Sequence, residues 1–187
     1  MGFETPEKSW IEFAKEKQAN AEFHSQGGRW SDACWSISRE SEFMINFLWG
    51  MQPNVGRSLE VTKRTDYFFF LNTDSNFSFK MYRNDFLTRI ALIFNFKRVK
   101  AGDEELDRDY VFISNDGSLV KSFTPAIRQF VQRNTAMDFL MEIEGAKVGI
   151  EGKCLLIQVN ELLKEKESIE TFFDFGKTMQ EMINKRF

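Results

Sequence analysis

Between residues 30 and 82 the apolar residues recur with a period of two, and that alternation commits the chain to a fold built around β-sheet. Phe77, Phe79 and Met81 alternate with Ser78, Lys80 and Tyr82, the pattern of a strand with one face buried and the other wet. The same reading predicts strands at 31–38, 42–49, 58–63, 66–71 and 77–82, the last two forming a hairpin. Phe68, Phe69 and Phe70 sharpen the constraint. Successive strand residues face opposite sides, so at least one of these rings points away from the main core and needs a second layer, a helix or a partner to cover it.

Helical spacing takes over outside this region. Thr5 as N-cap, Pro6 at the first helical position and Glu7 in the first turn predict an opening helix. Its narrow apolar stripe is Trp10, Ile11, Ala14 and Ala21, with His24 near its end before Gly27 and Gly28. Asn84 caps a segment with Phe86, Leu87, Ile90, Ile93 and Phe94 at helical spacing. A strand follows at 110–113, a turn at 115–117, and a helix from Thr124 and Pro125 carrying Ile127, Phe130 and Val131. Alternation at 138–144, with turns at Gly145 and Gly152, predicts a meander of 138–144, 147–150 and 153–159. Ser168 caps a last helix with the stripe Ile169, Phe172, Phe173, Gly176, Met179 and Ile183. The expected fold is α+β: a mostly antiparallel sheet with helices packed on a face, helices at both termini, and one domain over 1–187.

Composition narrows the function classes. The 187 residues are 42% hydrophobic and include 21 Phe, enough apolar surface to offset the entropy of ordering the chain. No apolar run approaches the roughly 18–20 residues of a membrane helix, so membrane insertion is not expected and the chain reads as soluble. Lys and Arg total 25 against 28 Asp and Glu, a net charge of −3, which leaves no global field for nucleic acid. Cys34 and Cys154 stand in no metal-binding spacing, and residues 1–6 lack the basic and apolar regions of a signal peptide; both fit a reduced, cytoplasmic setting. Pro6, where a Ser or Thr is needed, argues against myristoylation at Gly2.

His24 is the sole histidine, which excludes HExxH sites and multi-histidine metal centres, and neither a GxSxG elbow nor a phosphate-cradling glycine loop occurs. Asp103, Glu105, Asp107 and Asp109 alternate and are the candidate ligands for a hard cation. The twelfth position counted from Asp103 is Ser114 where an EF-hand needs a bidentate Glu, so a solvated loop is the preferred reading and neither metal nor cofactor is expected. Among the aromatic residues, Trp35, Trp49, Phe68 and Phe70 are the candidates for contact with a ligand or partner; filling the core is the competing role.

Gly102-Asp103-Glu104-Glu105-Leu106-Asp107, followed by the strand at 110–113, Asn115-Asp116 and a helix, resembles the signature of an uncharacterised bacterial domain family: a Gly-Asp, acid, Leu or Phe, Asp turn before a strand and a helix. The likeness covers about the middle third of the chain and more weakly the stretch 169–183. It implies no activity. In that family the domain often sits beside membrane-spanning segments, which this sequence lacks. It does imply a structural role, in which Gly102, Asp103 and Asp107 shape a tight connection, with Asp107 capping backbone donors. A well-specified core without a nucleophile, metal cluster or phosphate loop points to a non-enzymatic bacterial protein-binding module, one version being an acidic inhibitor or immunity-type protein. The alternatives are a small apolar-ligand or lipid-binding domain with an aromatic-lined pocket and, behind it, a carboxylate-based hydrolase.

Overall fold

Phe43, Ile45, Phe47 and Trp49 are buried while Met44, Asn46 and Leu48 between them are half-buried, which gives one strand two unlike faces. Those two faces run through a nine-stranded sheet in the computed structural model, which describes residues 6–26, 32–53, 59–73, 76–84, 98–135, 138–144 and 152–187. In chain order the elements are α1 (Lys8–Glu16), β1 (Asn20–Gln26), β2 (Asp32–Arg39), β3 (Phe43–Pro53), β4 (Leu59–Phe70), β5 (Phe79–Arg83), β6 (Arg98–Val99), α2 (Glu104–Asp109), β7 (Tyr110–Ser114), α3 (Gly117–Arg133), β8 (Phe139–Glu144), β9 (Cys154–Val159) and α4 (Lys166–Arg186). The strand order is β1-β2-β3-β4-β9-β8-β5-β7-β6, and every neighbouring pair is antiparallel. The fold is α+β, with helices at both termini.

The helices α1, α3 and α4 share one face of the sheet, where aromatic rings fill the space. Trp10 of α1 stacks on Phe47 at 4.1 Å, Phe173 of α4 meets Phe13, Phe43 and Phe69, and Phe123 of α3 meets Phe77 and Phe79. Every residue of the stripe expected on the last helix is buried. Full burial of each such side chain contributes about 1.5–3 kcal/mol. Buried polar groups stitch the layers together: the Trp10 indole donates to the Leu163 carbonyl at 2.9 Å, and the Tyr67 hydroxyl to the Ile169 carbonyl at 3.2 Å.

Several elements differ from the sequence expectation. The first helix stops at Glu16, and Ala21 and His24 lie on strand β1. Gln18 adopts φ 52°, its N–H donates to Lys15 O and that of Ala19 to Ala14 O, the paired bonds of a Schellman ending. Glu7 occupies the N-cap position without a side-chain bond; Thr5 lies outside the described residues. The two strands expected at 58–63 and 66–71 are one, β4. Helix α3 begins seven residues before Thr124, because Asp116 caps it through the N–H groups of Ser118 and Leu119. Thr124 and Pro125 therefore lie inside the helix, the Thr124 hydroxyl bonded to the carbonyls of Ala101 and Val120. The last helix starts at Lys166, ahead of the expected cap Ser168. The helix expected after Asn84 and the strand at 147–150 lie outside the described residues.

Candidate functional site

The strand residues that point away from the helices carry the unabsorbed chemistry. Register sets Glu22 opposite Ser36, Ser36 opposite Asn46, Asn46 opposite Asp66, and Asp66 opposite Gln158, so one polar row crosses five strands on that face. Within it the Ser36 hydroxyl donates to Asn46 Oδ1 at 2.8 Å, and Cys34 Sγ lies 3.5 Å from Ser36 Oγ. Two residues along β4, Arg64 Nε stands 3.1 Å from Asp66 Oδ2, with the Asp66 side chain only 5% exposed. A buried carboxylate is held as an anion only beside such a partner. Phe68, Cys154 and Leu156 form an apolar cluster beside the row, packed by Met44 and Phe70. Beyond it Lys80 Nζ pairs with Glu142 Oε2 at 3.0 Å.

His24 lies directly across from Cys34 in the β1–β2 ladder, a neighbourhood the sequence spacing did not reveal. Among the described residues no hydrogen bond joins the two side chains. Burial pushes the Cys34 thiol up, with the Asp66 charge adding to the effect against the Ser36 hydrogen bond and Arg64, so the thiol stays protonated at neutral pH. The His24 imidazole is exposed and turned to Glu22 at 3.7 Å. Neither Cys34 nor Cys154 is in a disulfide: they lie three strands apart, and register sets Cys34 in line with Arg64 but Cys154 opposite Phe70, further along β4, well beyond the span of a disulfide.

The four aromatic candidates fall on two sides of the sheet. Trp35 and Trp49 face the helices, both near the Phe23 ring at 5.5 and 6.4 Å. Phe68 and Phe70 belong to the cluster on the opposite face. The sheet thus separates the two pairs.

Of the four acidic candidates, Asp103 and Glu105 share one partner while Asp107 and Asp109 each have their own. Asp103 caps α2 through the N–H groups of Glu105 and Leu106 and pairs with Arg128 at 2.7 Å; Glu105 approaches the same guanidinium at 3.7 Å. Asp107 accepts the N–H groups of Ala101 and Gly102, and Asp109 is forked on Arg108. Gly102 has φ 84°, which a side chain would strain. The segment expected as a solvated loop is thus a turn at 101–103, held by Asp107, that leads into the short helix α2. Among the described residues no group of three or more His, Cys, Asp or Glu side chains is arranged to hold a metal ion.

No helix among the described residues is long and apolar enough to cross a membrane. No protein-family model, curated protein or solved structure matches the chain.

Proposed function

We propose that the chain is a non-enzymatic protein-binding module that receives its partner on the sheet face turned away from α1, α3 and α4. The observation that carries this reading is the row of half-buried Ser36, Asn46 and Gln158 around buried Asp66, bordered by half-buried Met44, Leu48 and Phe70: hydrogen-bonding groups and apolar flanks stand side by side, as in protein interfaces. Among the described residues of this face, the acids Asp66 and Glu142 each stand beside a base. Glu22, Asp66 and Glu142 are balanced by Arg64, Lys80 and Arg98, so the matching partner surface is of mixed polarity instead of strongly basic.

The test is affinity capture with the full chain, identification of the retained protein by mass spectrometry, and titration with the purified partner. Gln158→Arg and Ser36→Arg, checked for folding by circular dichroism, are expected to weaken binding at least about tenfold by placing an unmatched charge in the contact. Lys121→Glu, on an exposed position of α3, is expected to leave it unchanged. Unaltered binding by both face variants, or loss in the α3 variant alone, would overturn the assignment.

A further inference from the structure

Where β5 ends and β7 begins, the sheet leaves a groove of about 450 Å³ against the C-terminal end of α3. Register places Arg83 directly across from Tyr110, so the two side chains share a face. The Tyr110 ring is buried beside Phe139, with centroids 6.2 Å apart, yet its hydroxyl has no hydrogen-bond partner among the described residues. Arg83 is exposed and likewise makes no ion pair or hydrogen bond among them. Two donors thus line one concavity, neither side chain bonded to another described residue.

The wall of the groove is held in place. Asn84 donates its backbone N–H to the Asp109 carbonyl at 2.8 Å and its side-chain amide to the Arg108 carbonyl at 2.7 Å. Arg108 donates Nε and Nη2 to the Asp109 carboxylate at 2.7 and 3.1 Å, which neutralises that acid and leaves further guanidinium N–H groups. Val131 of α3 and Thr135, just past its end, line the opposite side. The charged lining is Arg83 and Arg108 against Asp109, with Asp138 close enough for its charge to act on Tyr110. Burial pushes the Tyr110 hydroxyl above its ordinary value, with Arg83 opposing and Asp109 and Asp138 adding, so at neutral pH it remains a donor.

We propose that this groove binds a small organic anion, whose carboxylate or phosphate oxygens are gripped by the Arg83 guanidinium and the Tyr110 hydroxyl. Planar, two-pronged donation is what a guanidinium offers an oxyanion, and the hydroxyl supplies a third bond from the floor. The site is independent of the sheet face assigned to a protein partner.

Inorganic phosphate and acetate are titrated separately into the full chain at constant ionic strength set with sodium chloride, and binding is read by calorimetry and by melting temperature. A response to phosphate alone assigns a phosphate compound; a response to acetate alone assigns a carboxylate. Arg83→Gln is expected to weaken the responding anion at least about tenfold, and Tyr110→Phe about three- to tenfold. Lys121→Gln, away from the groove, is expected to bind as the parent does. If neither anion acts beyond chloride, or if Arg83→Gln binds like the parent chain, the assignment fails.

Discussion

Gly176 sits where α4 crosses β4, and a Cβ there would run into the ring of Phe69. Alanine is favoured over glycine within a helix by about 1 kcal/mol. Here the ring has no room to yield, because Phe69 is fully buried and packs against Tyr67 and Phe173. Gly176→Ala is therefore expected to destabilise the protein by about 1–3 kcal/mol in denaturant unfolding. The penalty should shrink in a Phe69→Leu background; an equal loss in both backgrounds would show that close approach is not the reason. Thr65 shows what single residues conceal. In sequence it is a polar residue in an apolar strand, whereas in the fold its buried hydroxyl donates to Glu161 O and accepts the Leu163 N–H at 2.9 Å. Those partners lie almost a hundred residues away, and no local pattern announces them.

The helix endings were hidden for the same reason. Gln18 takes the left-handed conformation normally left to Gly or Asn, so composition gave no stop signal and the helical reading ran on through Ala21 to His24. Gln18→Gly should raise stability by about 0.5–1 kcal/mol by removing that strain, measured as a shift in denaturant midpoint with unchanged slope. A loss of stability would mean that the Gln18 side chain contributes more than its backbone costs. At α3 the misleading signal is the Thr124-Pro125 pair, which imitates a helix start, while Asp116, two residues before Ser118, stands in an Asn-Asp-Gly run that has the composition of a turn. The strands were more legible. Period two depends only on which face each residue meets, and the alternation at 77–82 and 138–144 survives as β5 and β8. Their break at residues 64–65 did not survive, because the Arg64–Asp66 pair on one face and the Thr65 bonds on the other let polar residues continue β4.

At the scale of the whole molecule, ion pairs at the surface tie distant segments together. Glu16 pairs with Lys166 across α1 and α4, Glu42 with Arg39 and Lys177, and Asp116 with Arg186. The Lys166 hydrogen bond lowers the Glu16 carboxyl, the Arg39 hydrogen bond lowers Glu42, and Ser118 and the Leu119 N–H lower Asp116. A carboxyl lowered in the folded state stabilises above its unfolded value and loses that contribution as pH falls through the folded one. Melting temperature should thus hold from pH 7 to about pH 5 and fall below about pH 4.5, with a shallower acid limb in the Glu16→Gln, Glu42→Gln, Asp116→Asn variant. An identical acid limb would count against these pairs. Class and layering could be read from periodicity alone, but the polar row could not. Ser36, Asn46, Asp66 and Gln158 become neighbours only through strand register, and β9 enters that register out of order. Strand β9 lies between β4 and β8 and is the only described link between the run β1–β4 and the run β8-β5-β7-β6. A ribosome making this chain therefore releases the keystone after both flanks: until residue 159 has emerged, the two described runs of strands each present a raw edge, and their union must wait for β9, the last of the described strands.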